Sequence, residues 1–179
     1  METSRTHSLV IGCGSIGKRH IRNLIAIGIK NIYAVDLRED RLAEIEGLEG
    51  VIPVRMLGDV RLDLLSTGLI CTPPSSHIKL TDLLLKNQCS RIFIEKPLTN
   101  NSVEAKRLLS SVSHSKSIVA VGCNYRFHPA IQLAKSTLEN GTIGKVYNFR
   151  SEFGQYLPDW HPYEDYRKGY AGKKKLGGG

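Results

Sequence analysis

Three sets of residues in this chain have the types and spacing to do chemistry. Gly12, Gly14 and Gly17 fall in the run GCGSIG, directly behind the apolar strand Leu9-Val10-Ile11. A single acid, Asp36, ends a second apolar strand, Asn31 to Val35. Glu95 and Lys96 end a third, Arg91 to Ile94. Glycine at the first position permits a tight turn off the strand, at the second lets backbone approach a pyrophosphate, and at the third lets the following helix pack close. That helix opens at Ser15 and Ile16, whose amides and positive dipole end would face phosphates. A plain strand, turn and helix can carry the same glycines. An acid about twenty residues on, where a carboxylate can accept ribose hydroxyls, adds weight to a dinucleotide site.

Asp36 also bears on the cofactor, because a carboxylate there repels a 2′-phosphate and favours NAD over NADP. Arg38 complicates that choice: turned inward it would pair with a 2′-phosphate, and turned outward it is a solvated charge opening the next helix. NAD is the expected cofactor, with NADP as the alternative.

Lys96 is the candidate catalytic residue. A charged pair at the end of a central strand must be paired or functional. A lysine beside a nicotinamide can donate to a substrate hydroxyl oxygen and stabilise charge developing during hydride transfer. The alternative is a strand-end lysine paired with Glu95. Thr72 ends the buried strand Thr67 to Thr72 and Pro73 follows it, at the end where open parallel sheets bind ligands, so both would line the cofactor groove. His77 either reaches that groove or sits on the helix surface. His20, one turn into the first helix, reads as a packing or surface residue.

These residues need a layered α/β scaffold to hold them. Strands and helices alternate along residues 1–123: a helix closing near Gly28, another over Arg38–Leu48, an edge strand at Val51–Val54 marked by Pro53, a helix from Ser75 or Ser76 to Asn87, a helix from Asn101 to Val112 with an Asn101–Glu104 capping pattern, and a strand over Ser117–Cys123. This alternation predicts a doubly wound parallel sheet with right-handed crossovers. A helix then runs from Pro129 to Leu138 and closes at Gly141. From Lys145 to Phe153 the residues alternate, with Tyr147, Phe149 and Phe153 on one face, which predicts a strand.

At 179 residues and 41% hydrophobic, the chain can bury a core. No run approaches the about eighteen apolar residues of a membrane span, and Met1 to His7 is too polar for a secretory signal, which makes the cytoplasm the expected compartment. The net charge of +8 comes from scattered residues, apart from Lys173-Lys174-Lys175, and no nucleic-acid motif accompanies it. Neither a nucleic-acid nor a membrane partner is expected. The four cysteines, Cys13, Cys71, Cys89 and Cys123, show no pairing with each other or with the six histidines at metal-ligand spacing, so no metal site is expected.

Taken together, GCGSIGKRH (12–20), CTPPSSH (71–77), EKPL (95–98), VGCNYRFHPAI (121–131) and NGTIGKV (140–146) resemble the Gfo/Idh/MocA family of oxidoreductases. The resemblance implies a Rossmann domain over residues 1–123, followed over 124–179 by the start of an α+β substrate domain, incomplete here. It implies that Lys96 matches the family's active-site lysine, that the Lys96-Pro97 bond is cis, and that Asn124 and Arg126 lie near the nicotinamide and the domain junction. Read without the family, Arg126 is equally an interdomain ion pair. The loop GQYLPDWHPYEDYR (154–167) mixes aromatics and charges as a sugar-binding loop does, or as a rigid surface loop does.

The family's pattern continues past a glycine triplet like Gly177-Gly178-Gly179 into a helix bearing an Asp and a His that complete catalysis, and this sequence stops at the triplet. Two functions therefore compete. One is a dehydrogenase moving hydride between NAD and a hydroxyl-bearing carbon of a sugar, nucleotide sugar or cyclitol, working as a homo-oligomer joined through the second-domain sheet. The other is a catalytically incomplete dinucleotide-binding module. A basic nucleic-acid binder ranks last.

Overall fold

The computed structural model describes residues 5–156 and, beyond them, 159, 165, 167, 169, 173 and 174. Six strands, β1 (His7–Ile11), β2 (Ile32–Val35), β3 (Val51–Val54), β4 (Leu65–Ile70), β5 (Arg91–Ile94) and β6 (Ile118–Val121), form one sheet in the order β3-β2-β1-β4-β5-β6. Every pairing is parallel. Around it stand the helices α1 (Ser15–Ala26), α2 (Glu39–Ala43), α3 (His77–Lys86) and α4 (Ser102–Ser113), and α5 (Pro129–Glu139) follows the sheet.

Alternation along β1 splits the core in two. Val10 joins Ile21 of α1, Leu42 of α2, Ile32, Ala34 and Leu69 on one face. Leu9 and Ile11 join Ile78 and Leu84 of α3, Leu108 of α4, Ile92 and Ile94 on the other. Covering both faces is what lets a parallel sheet use near-continuous apolar strands. Contact on the second face is close: a Cβ built on Gly68 of β4 would lie 2.5 Å from Leu84 Cδ1, so α3 rests on bare strand backbone.

The edge position expected for β3 is observed, with Pro53 on the outermost strand. Asn101 caps α4 through its Oδ1, which accepts the amides of Val103 at 2.9 Å and Glu104 at 3.3 Å. Two expectations are corrected. The helix expected over Arg38–Leu48 is only the five residues of α2. Beyond it the amides of Ile45, Glu46 and Leu48 bond three residues back, and Gly47 adopts φ 79°, which tightens and ends the helix. The crossover from β3 to β4 carries two 3₁₀ turns, Leu57–Asp59 and Leu62–Leu64, because the span Arg55–Leu64 is too short to hold a crossover helix.

The strand expected over Lys145–Phe153 does not form, and Tyr147, Phe149 and Phe153 are all at least 80% exposed. A strand needs a ladder partner, and no described residue supplies one. Most of the 154–167 loop, including Trp160, and the glycine triplet lie outside the described residues. Among the described residues no helix is long and apolar enough to cross a membrane, and no cluster of His, Cys, Asp and Glu is arranged to hold a metal.

Candidate functional site

Strand register builds the site. Ile11 lies level with Val35 and with Ile70, Ile70 with Ile94, and Ile94 with Val121. The next residue on each strand continues the ladder: Gly12 N donates to Val35 O, Cys71 N to Ile11 O, Glu95 N to Ile70 O and Gly122 N to Ile94 O, all at 2.8–2.9 Å. Gly12, Asp36, Thr72, Glu95, Lys96 and Asn124 therefore leave the sheet along one edge. β1 is flanked by β2 and β4, so the chain reverses its direction of travel across the sheet there, where open α/β sheets carry their ligand crevice.

The glycine turn has the shape a diphosphate needs. Gly12 sits at φ 94°, and a Cβ there would lie 2.7 Å from Cys71 O. At Gly17 a Cβ would fall 1.8 Å from Gly12 O, so α1 stands against the turn with no room for a side chain. Gly14 faces the opposite situation: among the described residues only the Arg41 guanidinium, at 3.7 Å, comes within 4 Å of a Cβ built on it. The turn is closed beneath and open in front. Gly14 is the N-cap of α1 and no side chain caps the helix, which leaves its first-turn amides to an external anion. These residues fit a dinucleotide phosphate.

Asp36, 8% exposed, accepts the Cys13 amide on Oδ2 at 2.8 Å and the Arg38 amide on Oδ1 at 2.9 Å. Its cationic partner is Arg41, with Nη1 3.3 Å from Oδ2. The Arg38 side chain, the cation nearest in sequence, instead forks onto Asp40, its Nε donating at 3.0 Å, and is exposed. Arg41 was not signalled by proximity to Asp36; the turn of α2 carries it back over the acid.

At the next loops, Thr72 Oγ1 and Ser76 Oγ are 2.6 Å apart, and Ser76 Oγ donates to Pro73 O at 2.8 Å, so Thr72 and Pro73 belong to a bonded turn. Ser76 is spent on that turn and gives α3 no side-chain cap. His77 occupies neither of its expected places. The ring is fully buried, with Nε2 2.7 Å from Thr72 O and Nδ1 2.9 Å from Pro97 O, tying the Thr72 turn to the Lys96 loop. The Lys96-Pro97 bond is cis.

Glu95 is paired, but with His20: Nε2 to Oε1 is 2.9 Å, and the His20 ring meets Phe93 edge-on at 5.1 Å. Burial pushes the Glu95 carboxyl up. The His20 hydrogen bond and charge, with the Lys96 amide and ammonium, outweigh it and hold the carboxyl below the usual glutamate range. Gly122 is part of this arrangement, since a Cβ there would lie 2.9 Å from Phe93 Cζ and 3.2 Å from Glu95 Oε1. With Glu95 taken by His20, exposed Lys96 has no ion pair among the described residues.

A cavity of about 380 Å³ lies here, lined by Ile16, His20, Glu95, Lys96 and Asn124 among others. Arg126 is not on its wall; exposed, it lies 5.7 Å from the Phe127 ring. A larger hollow of about 550 Å³ lies at the far edge of the sheet, between Arg5, Ser90 and Lys116. Arg5 there is committed to the carbonyls of Leu65, Asn87 and Gln88, and the hollow holds no paired acid and base, so the smaller cavity is the candidate. Of the thiols, Cys13 is pushed up to about 12 by burial and by Asp36, and Cys71 is raised by burial, so neither is a nucleophile at neutral pH.

Residues 6–123 match the model of the oxidoreductase family with an NAD-binding Rossmann fold, Gfo/Idh/MocA. The chain belongs to this family. Among curated Gfo/Idh/MocA relatives, the myo-inositol 2-dehydrogenase of Thermotoga maritima is 34% identical over 147 residues, 79% of this chain and 43% of that protein. The NAD⁺-dependent scyllo-inositol 2-dehydrogenase of Bacillus subtilis is 32% identical, over 76% of this chain and 41% of its own length. The chain thus spans less than half the length of these relatives. In fold it resembles the WlbA dehydrogenase of Bordetella pertussis, solved with NADH and UDP-GlcNAcA, with a TM-score of 0.71 at 22% identity over 80% of this chain and 44% of that one.

Proposed function

We propose that this chain forms the cofactor-binding part of a dehydrogenase that moves hydride between a nicotinamide dinucleotide and a hydroxyl-bearing carbon of a cyclitol, sugar or nucleotide sugar. The observation that carries this reading is the level ending of β1, β2, β4 and β5, which brings the glycine turn, Asp36 and Lys96 to one edge. NAD, when bound, supplies the hydride acceptor. Amides of Ser15, Ile16 and Gly17 would bind the diphosphate, Asp36 would accept ribose hydroxyls with its remaining lone pairs, and Thr72 and Pro73 would line the floor. Asn124 would stand at the nicotinamide end of the cavity, and Arg126 at the junction with residues 124–179, read as the start of a substrate domain.

Lys96 would donate from Nζ to the substrate oxygen and favour its negative form; the hydroxyl proton would pass to a base that the described residues do not supply, and the carbonyl would form as hydride leaves carbon for the nicotinamide. Glu95, held by His20, stays ionised beside it. The cyclitol class is supported by the inositol dehydrogenases among the relatives. A non-turning-over dinucleotide module is supported by the same edge and by the absence, among the described residues, of an unpaired histidine in the cavity wall.

The test is an NADH fluorescence titration, followed by turnover with inositols and sugars. Binding with turnover that falls about 100-fold or more in Lys96→Ala supports the enzyme. Binding without turnover in the wild type supports the module. Failure to bind NADH overturns both.

A further inference from the structure

The larger hollow, of about 550 Å³, lies at the other end of β1 from the glycine turn, where Arg5 precedes β1, Ser90 precedes β5 and Ser117 precedes β6. Its wall holds Arg5, His114 and Lys116, and no acid among the described residues. Cations at this edge have one ordinary use, which is to meet the carbonyls that close α3 and α4. That demand is already met. At the end of α3, Gln88 N and Cys89 N donate to Leu85 O and Leu84 O, and Arg5 Nη1 donates to Asn87 O at 2.6 Å and Gln88 O at 3.0 Å. At the end of α4, His114 Nδ1 lies 2.7 Å from Ser110 O, and Ser115 donates to Val112 O through both N and Oγ. Donors are left over. Arg5 makes all of its bonds through Nη1, so Nε and Nη2 have no partner among the described residues. Exposed Lys116 has no ion pair there, and the hydroxyls of Ser90 and Ser117 have no hydrogen-bond partner there.

We propose that this hollow is a second binding site, for a small phosphate-bearing anion, with Lys116, the free edge of Arg5 and the hydroxyls of Ser90 and Ser117 as its donors. A planar guanidinium edge, an ammonium and two hydroxyls are a donor set suited to phosphate oxygens. The wall offers no carboxylate to repel the anion, and the helix-end carbonyls that would compete for the cations are already bonded. Arg5 is held in place by those carbonyls, so its free edge is ordered before a ligand arrives and less entropy is lost on binding. The volume exceeds that of one phosphate and leaves room for the body of a small metabolite beside Leu85. The site stands apart from the glycine turn and does not depend on the dinucleotide reading.

The test follows backbone amides by ¹H–¹⁵N NMR as the full chain is titrated with pyrophosphate at about 0.15 M ionic strength, where diffuse surface attraction is screened. The amides of Ser90, Ser115, Lys116 and Ser117 are expected to shift and saturate with a Kd of about 1 mM or tighter. Lys116→Gln, at an exposed position and checked for native circular dichroism, is expected to weaken that Kd about fivefold or more. Lys86→Gln removes an exposed cation near the end of α3 that is not on the wall, and is expected to change it by less than about twofold. Malonate, a carboxylate dianion, is expected to bind about tenfold or more weakly than pyrophosphate. Arg5 is kept, because its loss would also uncap α3. No saturable shift at those four amides up to about 10 mM pyrophosphate, equal weakening by Lys116→Gln and Lys86→Gln, or malonate binding as tightly as pyrophosphate overturns the proposal. Shifts at Gly12 to Ile16 report the opposite edge separately, so this proposal and the dinucleotide reading fail independently.

Discussion

Replacing His77 with alanine should unfold the chain more readily than any single surface change near the site, because the ring is the bridge between two loops. It is fully buried and lies 2.7 Å from Thr72 O and 2.9 Å from Pro97 O. Deleting it leaves both carbonyls without that donor. Two buried polar contacts left unmade, at about 1.5 kcal/mol each, give a loss of about 3 kcal/mol. For a chain of this size that corresponds to a fall in Tm of roughly 6–12 °C. Guanidinium unfolding followed by circular dichroism measures the loss directly. His77→Gln, which keeps one amide donor group, should recover about half. NADH affinity should fall with stability, since Thr72 and Lys96 hang from the two loops that the ring joins. A loss below about 1 kcal/mol in the alanine variant would refute the bridging role, because a buried ring in contact with two carbonyls cannot be that cheap to remove.

Other outcomes follow from neighbouring geometry. Gly17→Ala sets a Cβ 1.8 Å from Gly12 O, so α1 must move off the turn; NADH titration should show binding lost while the far-UV spectrum survives, and unaltered affinity would contradict the close packing. Thiol labelling of the native protein at neutral pH should modify exposed Cys123 rapidly and Cys13, Cys71 and Cys89 only on unfolding; fast labelling of Cys13 would be inconsistent with its raised thiol. Glu95 lies below its usual range in the folded state, so its stabilising contribution is complete above the unfolded glutamate value of about 4.3 and is lost as pH falls through the lower folded value. Urea midpoints of wild type and Glu95→Gln should therefore differ at about pH 6 and converge towards about pH 3, and a gap independent of pH would show that ionisation of Glu95 contributes nothing to folding.

Much of this architecture can be read from local pattern. The glycine run, the acid closing β2, the apolar runs of β1, β4 and β5 and the Asn101 cap are each written within a few residues, where period and capping chemistry act. What escapes is set by contacts distant in sequence. His20 meets Glu95 across 75 residues, and only the packing of α1 over Phe93 brings them together. His77 looks like a surface helix residue until the Lys96 loop arrives above it. Arg38 and Arg41 are indistinguishable by type, and the choice between them is made by the short turn of α2. The alternating residues after Lys145 carry a strand's pattern without a neighbour to pair with, which shows that period alone specifies a strand only when a ladder is at hand.

Where α3 meets the sheet, the absent side chain at Gly68 works as a spacer of zero thickness. An atom added there must displace the Leu84 side chain, two turns into the helix that opens at His77. The fit of the turn proposed as the nucleotide's floor would thus be calibrated from inside the core. Variation at that buried glycine would retune affinity while leaving every contacting residue in place.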